Sequence, residues 1–352
     1  MKTQPKIIDT TLKEGSVRTN HLVLAEQVEN IARESADAGI QYLEACHFKG
    51  IGAKTVGYPA ILDDEEFIAA AKKSAPQLKI VVFISSFPFS EDALPKLLDH
   101  FDVGRVGVNV HEAGLATKII QQLKKANKTV IGHLFRIHGN TPTETAQAAK
   151  VLQDSGADIL YLADTFGSLR PDELKSYLNA VRQQTNLPLG FQGRNNLGLA
   201  MQNSLTALRE GVEYFDASIM GMGQGCGVTS LETLVALFQS QGLLPELALQ
   251  NLCTNGKFYV LPAFKSLPYS REIDLRLAKA RLDYTPQQLF EIITDFLDHP
   301  LPELLEQLKK VRPDLVQLKE HDFREYLKGE KIDFDILLQY LQTGGIPVFE
   351  EN

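Results

Sequence analysis

Short runs rich in apolar and β-branched residues alternate, along the first two-thirds of this chain, with stretches whose apolar positions recur every three or four residues. The first kind predicts strands at 6–11, 41–45, 79–85, 105–110, 129–135, 158–163, 188–192 and 214–218. A helical pattern follows each. Leu24, Val28, Ile31, Ala32 and Ser35 share one helical face, which Gly39 ends. Thr141-Pro-Thr-Glu144 reads as a helix start, with proline at the first position and a capping-box glutamate, and Gly156 closes that helix. Leu174, Tyr177, Leu178 and Val181 repeat the pattern after Pro171. Eight βα units in about 240 residues predict an α/β fold of the closed TIM (β/α)8 barrel type. A doubly wound open sheet would carry a Gly-x-Gly-x-x-Gly turn after its first strand, where Lys13-Glu14-Gly15-Ser16 stands instead. Beyond about Leu249 the alternation stops, and 281–297, 302–311 and 323–341 read as helices. The expected division is a barrel over 1–249 and a helical lid or dimerisation region over 250–352.

Composition changes this picture little. A net charge of −8 argues against a nucleic-acid grip. Cys46, Cys226 and Cys253 are odd in number and far apart, so they form neither a disulfide framework nor a CxxC knuckle, and a reducing cytoplasmic compartment is expected. The N-terminal MKTQPKII lacks a long apolar run, so no signal peptide is expected, and no stretch has the length of a membrane helix.

In a barrel of this kind the chemistry sits where strands end. Those positions hold Lys13 and Glu14, then Glu44, Cys46 and His47, then Asn109 and His111, then Arg136 and His138. Strand six ends in Asp164 and Thr165, and strand seven in Gln192, Arg194, Asn195 and Asn196. After strand eight, Gly221, Gly223, Gly225 and Gly227 alternate with other residues, a backbone able to turn its N–H groups toward a phosphate or carboxylate. Asp164 is expected to pair with Arg136 or Lys13. His47 stands evenly between catalysis and a satisfied loop histidine. Cys46 is adjacent to His47 but points the other way on a strand, which discounts it as a nucleophile.

Asp9-Thr-Thr-Leu-Lys-Glu-Gly15 resembles the DxTLRDG signature of the DRE-TIM metallolyases, the HMG-CoA lyase-like family, and the likeness is closest to its 4-hydroxy-2-oxovalerate aldolase branch. Glu44-Ala-Cys-His47, Tyr161-Leu-Ala-Asp-Thr-Phe-Gly167, Asn196-Leu-Gly-Leu with Asn203-Ser204, and 221–232 resemble that branch's later motifs, in order. The resemblance implies a divalent metal held by the signature aspartate and an HxH on strand seven, and a carbon–carbon bond made or broken beside the carbonyl of a 2-oxo acid. This chain departs at those positions. The signature arginine is Lys13, the aspartate Glu14, and the two histidines Gln192 and Arg194. The branch's histidine base falls on Val17. A guanidinium has no lone pair for a cation, so no metal ligand and no cofactor are expected. A site that kept its ion through Glu14 with Gln192, Asn195 or His47 would suit magnesium or manganese, but Arg194 argues against it.

The expected function is an aldolase-like lyase working without the metal. Arg194 would fill the ion's place and pair with Glu14. Lys13 and Arg194 would hold carboxylate and enolate oxygens, and His47 or Tyr284 would move the proton. Asp164, Thr165, Gln192, Asn195, Asn196, Gly223, Gly225 and Gly227 would line the substrate. A Schiff base on Lys13 requires its pKa to fall, and pairing of Lys13 with Glu14 or Asp164 weighs more. The alternative is a catalytically altered barrel that binds a metabolite or a partner protein. The partner expected is a small carboxylate or 2-oxo acid, with no nucleic acid and no membrane, in a homodimer or other homo-oligomer. No partner dehydrogenase is assumed.

Overall fold

A computed structural model describes residues 4–86, 92–264, 274–275 and 278–279. The chain divides into two compact units, Met1–Ser270 and Arg271–Asn352, and the barrel lies in the first. The helices expected at 281–297, 302–311 and 323–341, and Tyr284, lie outside the described residues.

Eight parallel strands close a barrel in sequence order. They are β1 (Lys6–Asp9), β2 (Tyr42–Glu44), β3 (Lys79–Ser85), β4 (Val103–Asn109), β5 (Thr129–Phe135), β6 (Ile159–Asp164), β7 (Leu189–Gly193) and β8 (Tyr214–Ala217). The ring is sealed by β1 against β8, with Lys6 opposite Tyr214 and Asp9 opposite Ala217. The helices are α1 (Thr11–Gly15), α2 (Ala25–Asp37), α3 (Asp64–Ser74), α4 (Ala93–Leu97), α5 (Thr117–Lys125) and α6 (Pro142–Ser155). They continue as α7 (Pro171–Gln184), α8 (Ala200–Arg209), α9 (Leu231–Gln239), α10 (Leu249–Asn255) and α11 (Leu261–Phe264). Among the described residues no helix is long and apolar enough to cross a membrane.

The strand predicted to reach residue 11 stops at Asp9. Its carboxylate accepts the Thr11 N–H at 2.9 Å and also the Thr11 hydroxyl, which turns the chain into α1. Lys13 and Glu14 therefore ride on a short buried helix across the barrel mouth rather than on a strand tip. Helix α6 starts as read, Thr141 capping the Glu144 N–H and Glu144 accepting the Thr141 N–H, and ends at Gly156 with φ +110°.

One large apolar core fills the space between the helices and the outer face of the barrel, with Val28, Ile31, Leu123, Leu152, Leu178 and Phe238 among its buried members. Alternate strand residues point inside and stack in layers. Tyr42, Val103, Ile159 and Tyr214 form the floor, with Ile8, Val81 and Ile131 above them. The next layer comes from the even-numbered strands: Glu44, Arg105, Tyr161 and Asp216. Tyr161 takes space left by Gly190, where an added Cβ would fall 2.1 Å from its ring.

Residues 250–264, which the sequence pattern places beyond the barrel, belong to this same unit. Asn255, at the end of α10, donates to the Ile31 carbonyl of α2 at 3.3 Å. Phe264 packs onto Gly15, and a Cβ there would come within 2.5 Å of the ring.

Candidate functional site

The mouth is built upward from the charged layer. Arg105 is fully buried and forks onto both oxygens of Asp216, with Nη2 2.8 Å from Oδ1. Its Nε lies 3.3 Å from Glu44 Oε1, and its guanidinium rests on the Tyr161 ring 4.6 Å from the centroid. Glu44 then faces upward to Lys13, with Oε2 3.7 Å from Nζ. Lys13 donates to Glu14 Oε1 at 3.0 Å and lies 4.8 Å from the Phe83 ring centre and 5.3 Å from that of Phe48. Two cations thus meet three carboxylates in a nearly dry interior, where ion pairs persist only if their geometry answers the cost of desolvation. Burial opposes the charge on Lys13, but Glu44 and Glu14 outweigh it and hold its pKa above the ordinary lysine value. Burial raises the pKa of Glu44, against the pull of Arg105 and Lys13. Lys13 is therefore the paired ammonium and not the depressed amine a Schiff base needs.

Several predicted partnerships are replaced by others. Glu14 forms no ion pair with Arg194. Its Oε1 holds Lys13, while Oε2 is buried without a hydrogen bond and faces Gly223, where an added Cβ would lie 3.3 Å away. Arg194 instead gives Nη1 to Gln224 Oε1 at 2.8 Å. Asp164 pairs with neither Arg136 nor Lys13. Its oxygens accept the N–H groups of Ser168 at 3.2 Å and Leu169 at 3.1 Å, closing the turn after β6. Burial raises its pKa to about 6 against those N–H groups. Thr165 accepts the Arg136 N–H at 3.0 Å. Asn196 ties the same turn to the glycine loop, donating to the Phe166 carbonyl at 3.1 Å and accepting the Cys226 N–H at 3.1 Å. Asn195 accepts the Ala200 N–H at 3.3 Å, at the start of α8. In the glycine loop Gly225 and Gly227 take φ +62° and +79°. The Gly227 N–H is spent on the Gln224 carbonyl at 3.0 Å, and the Gly225 carbonyl accepts Arg18 Nη2 at 2.7 Å. Gln192 keeps a buried Nε2 without an acceptor.

His47 is held at both ring nitrogens. Nδ1 accepts the Lys49 N–H at 3.0 Å, which leaves Nε2 to donate to the Pro59 carbonyl at 3.1 Å, and burial lowers its pKa. Its ring centre lies 4.2 Å from that of His21. Cys46 accepts the Phe83 N–H at 3.2 Å, and burial pushes its thiol up, away from nucleophilic chemistry.

Four residues of this site escape a reading of the sequence: Arg105, Asp216, His133 and His21. A charge at an inward position of a parallel strand is the signal that marks the first two, since it must find a partner inside. His133 stacks on Tyr161 at 5.6 Å and is buried with neither nitrogen hydrogen-bonded, its pKa well below the usual value through burial. His21 follows the signature turn in a loop, where no periodicity points to it.

The divalent ion implied by the resemblance can be tested against these donors. The signature carboxylate already holds an ammonium at 3.0 Å. The two remaining positions offer an amide and a guanidinium, which has no lone pair. Among the described residues no cluster of three or more His, Cys, Asp or Glu side chains comes together. This set does not fit a divalent metal.

The profile of the HMGL-like family matches residues 108–258. The chain is 30% identical over 263 residues to a 4-hydroxy-2-oxovalerate aldolase of Geobacillus genomosp. 3, covering 74% of this chain and 78% of that one. It is 30% identical over 249 residues to an oxaloacetate decarboxylase of Mycobacterium tuberculosis, covering 71% and 74%. Among solved structures, the HMG-CoA lyase of Bacillus subtilis shares the fold, with a TM-score of 0.66 at 19% identity over 79% of this chain and 100% of that one.

Proposed function

This chain belongs to the HMGL-like (DRE-TIM) family, and from that premise we propose that it is an enzyme making or breaking the carbon–carbon bond next to the carbonyl of a 2-oxo acid, with fixed side-chain cations, Lys13 at the signature arginine's place and Arg194 at a metal ligand's, in the role the family gives to a metal. The observation that carries the reading is the Lys13 ammonium, buried at the barrel mouth and kept charged by Glu14 and Glu44. Relatives that are an aldolase and a decarboxylase by name both leave a 2-oxo acid enolate when their bond breaks, so the two share one need, which is stabilisation of that enolate.

In the cleavage direction a 4-hydroxy-2-oxo acid gives up its hydroxyl proton. The oxygen's electron pair forms the aldehyde carbonyl, the C3–C4 bond breaks and its pair forms the C2=C3 bond, and the C2 carbonyl's π pair moves onto its oxygen. Lys13 stabilises that oxyanion by a charge-assisted hydrogen bond, and Arg194 takes the substrate carboxylate. Glu14 orients Lys13 rather than Arg194. The enolate then takes a proton at C3 to give the second product. Asp164, Thr165, Asn195 and Asn196 hold the loops that frame the mouth, and Gln192 with the loop Gly223, Gly225 and Gly227 contributes its wall. Tyr284 stays a proposed contact of the substrate hydroxyl.

Exchange of the methyl protons of pyruvate and longer 2-oxo acids in deuterated water, followed by NMR, tests the reading. Exchange is expected to survive chelator treatment and to fall about 100-fold or more in Lys13→Met. Exchange that vanishes with chelator and returns with magnesium or manganese overturns the side-chain cations. Binding of 2-oxo acids with no exchange of any of them favours the binding-protein alternative.

A further inference from the structure

At the end of the barrel opposite Lys13, where the strands begin, lies a cavity of about 130 Å³. We propose that it is a second binding site, for a short-chain monocarboxylate seated with its tail inward and its carboxylate at the rim formed by Tyr42, Tyr214, Lys6 and Lys79. The inference is independent of the chemistry proposed at the mouth.

Size sets the first limit. A dry apolar cavity of about 150 Å³ takes a benzene-sized molecule, so this one has room for about six non-hydrogen atoms, the size of butanoate. The deep wall is aliphatic. Ile8, Val103, Ile131 and Ile159 line it, and all four are buried. In the barrel register Ile8 stands beside Asp216 and Ile131 beside Arg105, so the cavity ends directly under the charged layer. Arg105 and Asp216 are spent on each other, which leaves the deep end methyl and methylene groups to offer.

The outer end is phenolic and cationic. Tyr42 and Tyr214 meet edge to face with ring centres 6.5 Å apart, and each carries an ammonium. Lys79 Nζ lies 5.4 Å from the Tyr42 ring centre, and Lys6 Nζ 4.8 Å from that of Tyr214. Lys79 lines the cavity and is exposed, so the space reaches solvent beside it. Among the described residues neither lysine has a carboxylate within ion-pair distance. Lys6 donates to the Tyr214 hydroxyl at 2.9 Å, and that hydroxyl's own hydrogen has no acceptor among the described residues. Asp102, also in the lining, is turned to partners of its own, its Oδ2 accepting Lys72 Nζ at 2.8 Å and the Ile80 N–H at 2.7 Å. Carbon within and unanswered positive charge at the rim select a molecule with an apolar tail and one carboxylate. An amine would face Lys6 and Lys79, and a dicarboxylate would bury its second charge against isoleucines.

NMR of the whole protein with labelled isoleucine and valine methyl groups tests the site. Butanoate should shift the signals of Ile8, Val103, Ile131 and Ile159 in a saturable way, with a Kd of about 1 mM, and its methyl should show NOEs to theirs. Butylamine and 1-butanol should bind about tenfold more weakly or less. Lys6→Gln combined with Lys79→Gln, both at exposed positions, should weaken butanoate about tenfold and leave 1-butanol unchanged. Exchange of pyruvate methyl protons should be the same in that variant as in wild type, which separates this site from the mouth. Four floor residues unmoved at about 50 mM butanoate overturn the site, whether or not the acid binds at the mouth. Equal binding of butanoate, butylamine and 1-butanol overturns the carboxylate assignment.

Discussion

Asp164 ends β6 with its carboxylate against the N–H groups of Ser168 and Leu169, fully buried, and with a pKa of about 6 in place of 3.8. The folded protein therefore binds this proton more tightly than the unfolded chain does. The ionised side chain costs stability, by roughly 3 kcal/mol once both states have lost the proton. This contribution falls as pH rises from about 4 to about 6 and is level outside that window. Urea unfolding of Asp164→Asn should show a shallower fall across those pH values than wild type, and parallel curves for the two proteins would refute the assignment. At this scale the sequence was half legible. Asp164 and Arg194 stand at the ends of β6 and β7 as read, whereas Lys13 and Glu14 lie past the end of β1 on α1. Who pairs with whom was not legible, because backbone amides compete with cations for a carboxylate, and their direction is set by turns such as that at Asp9.

Elements were read more closely than partnerships. Strands β3 and β5 run as predicted at both ends, each carrying near its start a run of β-branched residues, Ile80–Val82 and Thr129–Ile131. Strand β4 starts at Val103, two residues before the expected Arg105, since Gly104 interrupts the apolar run. That interruption is structural: a Cβ on Gly104 would lie 2.6 Å from the Leu123 side chain of α5. The α6 cap was legible from four residues because capping is local. Thr141→Ala should remove one acceptor for the Glu144 N–H and cost about 1 kcal/mol. Denaturant midpoints measure this, and a loss below about 0.3 kcal/mol would mean that Glu144 alone suffices.

Across the whole molecule the βα alternation announced the barrel, while its charged interior layer gave no sign beyond single residues inside apolar strands. Arg105 touches Glu44 and Asp216, so it links β2, β4 and β8 through the barrel axis. Arg105→Met should cost about 3–5 kcal/mol, because it strands two buried carboxylates. Adding Asp216→Asn should restore part of that loss, and a double variant less stable than the single would show that lost packing on Tyr161 dominates. Phe264 leans on Gly15, one residue past Glu14. Anyone exchanging this protein's tail for another's must splice beyond Phe264. A chimera joined at 249 would lift the aromatic weight off the turn that carries Lys13, loosening the Lys13–Glu14 pair with every strand intact.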